Sequence, residues 1–137
     1  MRRNPRYLDF SELGGDCSNF ISQCLYAGGH EMNYTPVMGW YYHSASDRTA
    51  SWTGVEFLYR FLTHNEGAGP KASIISKNEM ELGDVIQLGN ASGVFYHSLL
   101  LVTPRGTEMR VAAHSDDAWM RPFSEYQYTY SRFLHIR

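Results

Sequence analysis

The chain reads as an α+β domain, with helices first and an antiparallel meander after, and two observations carry that reading. In the first half, apolar residues recur at helical spacing, at Cys17, Phe20, Ile21, Cys24 and Leu25 and again at Val55, Leu58 and Leu62. From residue 85 onward the pattern changes to short β-prone runs divided by Gly, Asn and Pro turns. With 137 residues, no internal repeat and no low-complexity stretch, the chain is expected to be a single domain spanning residues 1–137.

The elements follow in order. Residues 1–15 are punctuated by Asn4-Pro5 and Gly14-Gly15, with Tyr7, Leu8, Phe10 and Leu13 as apolar anchors. A helix is predicted from Cys17, with Asp16 as the N-cap whose carboxylate accepts a first-turn amide and Gly28-Gly29 as the stop. Residues 30–51 show no period and carry Tyr34, Trp40, Tyr41, Tyr42 and His43, which predicts a long loop packed by its own aromatics. It serves equally as a binding wall or as cover over the core. A second helix is predicted from Thr53-Gly54-Val55-Glu56, read as a capping box, and is scaffold, with His64 a surface charge. Strands are predicted at 85–88, 94–103, 108–114 and 133–136.

Composition narrows the function. A net charge of −2 with no basic run argues against nucleic acid and anionic membrane as partners. Two cysteines cannot build a disulfide framework or a four-ligand zinc site, and no metal or cofactor is expected. Cys17 and Cys24 lie roughly 10 Å apart along one helix, too far to bridge. No apolar run approaches membrane-spanning length, and Met1 to Pro5 lead into no signal-peptide core, so the default compartment is the cytoplasm, with secretion the alternative if a leader is missing.

Cys17 in the first turn of a helix sits where free amides and the helix dipole favour a thiolate. A cysteine on an apolar stripe is more often a small core residue, and Cys24 is read that way. What raises the odds for Cys17 lies downstream. If Arg105-Gly106 is a two-residue hairpin loop, Leu101 opposes Arg110, Leu99 opposes Ala112 and His97 opposes His114. The two histidines then share a face, while Leu100, Val102, Met109 and Val111 fill the other. Cys17, His97 and His114 can act as nucleophile, base and orienting group, with Asp116 the rival for the third role.

The stretch Gly14-Gly15-Asp16-Cys17-Ser18-Asn19-Phe20-Ile21-Ser22-Gln23-Cys24-Leu25, with Ser51-Trp52-Thr53-Gly54-Val55, Leu82-Gly83-Asp84-Val85-Ile86-Gln87, Tyr96-His97-Ser98 and Ala112-Ala113-His114-Ser115-Asp116-Asp117, resembles the Putative amidase domain family of bacteria. That family is similar to the papain-like NlpC-type cell-wall peptidases, and the resemblance runs from Asn4 to the end. It implies a papain-like NlpC-type fold, Cys17 as nucleophile, His97 as base and His114 as the polar third residue. The implied reaction is hydrolysis of an amide bond, in a cell-wall peptide or a peptidoglycan-like substrate, through a thioester. The oxyanion would be met by the Cys17 or Ser18 amide. Residues expected to meet substrate are Asp16 and Ser18 beside the cysteine, Trp40, Trp52, Tyr96 and Asp116. Family members carry a helical stretch before the Asn-Pro that this chain lacks, so Phe20 and Leu58 are expected to be under-covered. A thiol acyltransferase would use the same residues, and a binding module would keep the cleft without turnover; the intact Cys17, His97 and His114 argue against the module. His97, His114 and Asp116 as metal ligands lack any supporting motif.

Overall fold

The computed structural model describes residues 3–11, 15–114 and 117–137. Helix α1 (Cys17–Ala27) is followed by a small hairpin, β1 (Tyr42–Ser44) and β2 (Asp47–Arg48), and by helices α2 (Ala50–Thr53) and α3 (Val55–His64). Then come β3 (Ala72–Ile75), β4 (Val85–Gly89), β5 (Phe95–Leu101), β6 (Arg110–Ala113), β7 (Ala118–Pro122) and β8 (Tyr130–Ile136). The last six strands form one antiparallel sheet in the order β3-β8-β4-β5-β6-β7. The fold is therefore α+β, a six-stranded antiparallel sheet with a few helices. The closing strand does not lie at an edge but inserts between β3 and β4.

Both faces of the sheet are covered, which is why all five residues of β4 are buried. Val85 and Leu134 join Ile21, Leu25, Trp40, Trp52, Leu58 and Leu62 in the core on the helix side. Ile86 and Leu88 point the other way and pack with Met80, Leu99, Leu101, Val111 and Phe123. That alternation is the period-two geometry of a strand. Leu58 is fully buried, contrary to the expectation that it lacked cover, and Phe20 packs its ring 4.2 Å from that of His114.

Three local expectations change. The stretch 30–51 is not wholly irregular, since it holds the β1–β2 hairpin, a bridge between Asn33 and Trp40, and the start of α2. The capping box does not form: Thr53 ends α2, Gly54 precedes α3, and no side chain caps that helix. Glu56 is drawn away by Arg132, whose Nη2 donates to its Oε2 at 2.8 Å. Strands β3 and β7 were not expected; they are the two edges of the sheet, and β7 contains Met120 at φ 56 and ends in Pro122.

The hairpin between β5 and β6 is one residue out of the expected register. Leu100 pairs with Ala112 and Leu101 with Val111. Thr107 closes on the Pro104 carbonyl through its amide at 3.4 Å and its hydroxyl at 2.7 Å, but the ladder breaks just beyond, where the Arg110 amide donates to Thr103 Oγ1 at 3.1 Å. Since faces alternate, the slip exchanges them. Extending the pairing outward sets His114 across from Ser98 rather than His97. Leu100 accordingly packs toward the helices, while Val111 and Met109 pack on the far side.

Helix α1 turns Ser18, Asn19 and Ser22 inward along with Ile21 and Leu25. Asn19 is the most heavily used: its Nδ2 donates to Leu8 O at 3.0 Å and Asp16 Oδ1 at 2.8 Å, and its Oδ1 accepts from Trp52 Nε1 at 3.0 Å. Asn19→Ala strands several buried polar groups at once and is expected to cost about 3 kcal/mol. Urea unfolding measures it, and a loss below about 1 kcal/mol would mean that water replaces the amide.

Candidate active site

Helix α1 begins over the end of the sheet where β5 starts. Its first intrahelical bond runs from Phe20 N to Asp16 O at 3.0 Å, so the helix itself does not use the amides of Cys17, Ser18 and Asn19. The Cys17 thiol lies against β5, with Sγ 3.9 Å from the carbonyl oxygen of Tyr96. Cys17 is only 6% exposed. Burial pushes its thiol up, the Ser98 amide, the Ser18 hydroxyl and the Ser18 and Cys17 amides pull it down, and burial wins. The resting group is therefore a thiol, not the thiolate expected from helix position alone. Cys24, with burial and no opposing bond, is pushed up to about 11.

Asp16 occupies the N-cap position but makes no side-chain cap bond. Its carboxylate turns inward instead. Oδ1 accepts from the Phe10 amide at 2.9 Å and from Asn19, and Oδ2 lies 2.6 Å from His114 Nδ1. Burial pushes the Asp16 carboxyl up, but the bonds from His114, Asn19 and Phe10 outweigh it and hold it below the ordinary range. Arg3 adds a more distant cation, its Nε 4.0 Å from Asp16 Oδ2. His114 is thus a buried imidazole gripped at Nδ1 by the residue next to Cys17, with the Phe20 ring against it.

His97 is placed differently. It pairs with Leu88 across β4 and shares the strand parity of Leu99 and Leu101, which pack away from the helices. Its ring lies 6.1 Å from that of Tyr126 and is stacked at 6.4 Å on Tyr96. The expected face-sharing pair of histidines is therefore not formed, because the register slip puts His114 on the helix side of the sheet. Asp116 falls outside the described residues.

Most of the side chains expected to meet substrate are interior. Trp40 and Trp52 are fully buried, their rings 4.6 Å apart, with indole donors given to Ser22 and Asn19. Asp16 and Ser18 are buried as well, Ser18 against Ser98 at 3.0 Å. Tyr96, whose carbonyl oxygen meets the thiol, is 47% exposed. Ser98, Gln87 and Arg132, which stand behind Cys17, were not singled out. The signal was available: a glutamine in the middle of the apolar run Val85-Ile86-Gln87-Leu88, and a serine in strand β5, must find partners if buried.

Among the described residues no group of three or more His, Cys, Asp and Glu is placed to hold a metal ion. The chain is 34% identical over 127 residues to "Uncharacterized protein YhbB" of Bacillus subtilis (strain 168), an alignment covering 90% of this chain and 40% of that protein. It therefore spans well under two thirds of that relative's length. No solved structure matches it. The model of a family described as "Putative amidase domain" matches residues 1–137, and the chain belongs to that family.

Proposed function

We propose that this domain is a cysteine amidase, of the papain-like NlpC type, that cleaves an amide bond through a thioester on Cys17. One observation carries the reading: the Cys17 thiol sits at the open N-terminus of α1, and the residue just before it, the buried Asp16, grips the His114 imidazole at Nδ1. Asp16 at Nδ1 fixes the His114 tautomer and ring angle, which leaves Nε2 as the acceptor. His114 takes the thiol proton as sulfur attacks the carbonyl carbon. The negative oxygen is met by the Cys17 and Ser18 amides, which already act on the sulfur. The imidazolium returns its proton to the leaving amine, and water then hydrolyses the thioester with His114 again as base. The resemblance to cell-wall peptidases makes a cell-wall peptide the first substrate to try.

A second assignment gives the base role to His97. It is favoured by the seat of the thiol on the carbonyl of Tyr96, the chain neighbour of His97, and by the resemblance. The two assignments separate cleanly in variants. With His114 as base, His114→Ala lowers kcat about a thousandfold and His97→Ala much less. The reverse pattern, read on the same peptide substrate, assigns the base to His97.

Reactivity tests the nucleophile directly. Iodoacetamide is expected to label Cys17 faster than Cys24 in the folded protein, because burial at Cys24 goes unopposed. Since the Cys17 thiol lies above its ordinary value, its labelling rate should keep climbing past pH 9 rather than level off near neutrality. Peptide mapping that finds Cys24 labelled first, or a plateau below pH 7, would overturn the picture of a buried, amide-facing thiol.

A further inference from the structure

Behind Cys17 runs a buried hydrogen-bonded chain that the cleavage chemistry does not use. Arg132 Nε donates to Gln87 Oε1 at 2.8 Å. Gln87 Nε2 donates to Ser98 Oγ at 3.1 Å and to the Val55 carbonyl at 3.1 Å. Ser98 Oγ lies 3.0 Å from Ser18 Oγ. Gln87 and Ser98 are fully buried, Ser18 nearly so, and the Arg132 side chain is 14% exposed.

The directions at Arg132 and Val55 follow from chemistry, while either serine hydroxyl can donate to the other. A guanidinium only donates, so the carbonyl oxygen of Gln87 must face Arg132. Its amide nitrogen then faces Val55 O, which only accepts, and Ser98 Oγ. Ser98 receives that N–H and has one proton of its own to place. Ser18 Oγ is its remaining partner among the described residues, and a buried hydroxyl proton left without an acceptor is costly. Donation from Ser98 to Ser18 places that proton and frees the Ser18 proton for the sulfur. Ser18 then has its own proton to place, and its hydroxyl is one of the groups that pull the Cys17 thiol down. We propose that Arg132, Gln87 and Ser98 are positioning residues that aim the Ser18 hydroxyl proton at Cys17 Sγ, so that a fixed cation polarises a one-way donor chain ending on the nucleophile.

The proposal rests on Cys17 being the reactive thiol and deepens that reading. The chain supplies a donor to sulfur and no proton acceptor, so its effect is to favour the thiolate and to hold the thiol in one rotamer. The other groups of the site are Asp16 and His114 on the helix side, Tyr96, whose carbonyl meets the sulfur, and His97 from β5, and Arg3 beyond Asp16. Gln87 bonds Arg132, the Val55 carbonyl and Ser98, so a change there is expected to reach Cys17 through the serines. The sandwich of Arg132 between the rings of Tyr59 and Phe95, at 3.4 and 3.8 Å, fixes the origin of the chain.

The experiment reads the midpoint of the Cys17 alkylation rate against pH, with Cys24 in the same protein as internal reference. Ser18→Ala removes the terminal donor and is expected to raise the midpoint by about one pH unit. Gln87→Met removes the donor that orients Ser98 and is expected to raise it in the same direction, by less. The double variant should match Ser18→Ala alone, because Gln87 acts only through Ser18. Additive shifts, or Gln87→Met leaving the midpoint unchanged while lowering Tm, would reduce the chain to a structural network. Should Gln87→Met fail to fold, Ser98→Ala in its place makes the same comparison. Amide hydrolysis plays no part in this readout. Loss of the cleavage reading therefore shows as a labelled but inactive protein, and loss of the donor chain as an unmoved midpoint.

Discussion

Everything near Cys17 depends on a helix that buries polar side chains as readily as apolar ones. A conventional amphipathic helix offers an apolar stripe and leaves its neighbours free to slide. Helix α1 instead presents Ser18, Asn19 and Ser22 to the interior, and each demands a specific partner. Ser22 donates its hydroxyl to Trp52 O at 2.9 Å and accepts from Trp40 Nε1 at 3.0 Å. Asn19 binds Trp52, Leu8 and Asp16. These bonds tie the aromatic stretch and the N-terminal segment to one rotational setting of α1. Asp16, Ser18 and Asn19 are all held, so the orientation of Cys17 among them is fixed too.

Arg132 shows why the sheet tolerates a cation beneath the helices. Taking a guanidinium out of water costs several kcal/mol, and an isolated one would not stay. Here Glu56 supplies a carboxylate, Gln87 an oxygen, and Tyr59 and Phe95 two ring faces. Arginine suits this better than lysine, since its planar fork can stack and donate sideways at once. The cost is met by partners on α3, β4 and β5, so this residue of β8 ties its own strand to three other elements.

The helix-first, strand-later order was legible because periodicity of 3.6 against 2 survives any tertiary context. The partners of α1 were less so. Trp40 and Trp52 look like cleft aromatics in a sequence and are interior because Ser22 and Asn19 give their indoles somewhere to donate. The capping box at Thr53 had the right letters, yet Glu56 found a stronger partner 76 residues away. The pairing of His97 with His114 failed on one residue of register, at the end of the hairpin where the Arg110 amide turns to the Thr103 hydroxyl, which no hydrophobic pattern reports. What took its place, the grip of Asp16 on His114, joins residues 98 apart and has no local signature.

The site's charges settle in an order that follows from burial. Asp16 stays ionised because His114, Asn19 and the Phe10 amide together outweigh its burial. Cys17, with weaker bonds from amides and one hydroxyl, does not overcome its own burial and rests as a thiol. A resting thiolate–imidazolium pair would place two opposed charges in a space already shared with a carboxylate. In the proposed reaction, keeping the sulfur neutral until a carbonyl arrives avoids that cost, and the negative charge then forms on an oxygen facing the helix amides rather than on sulfur alone. The proton must leave as the new bond forms, so the imidazole has to be positioned before substrate enters. That requirement is what a carboxylate fixed at the N-cap, turned away from its own helix, is able to meet.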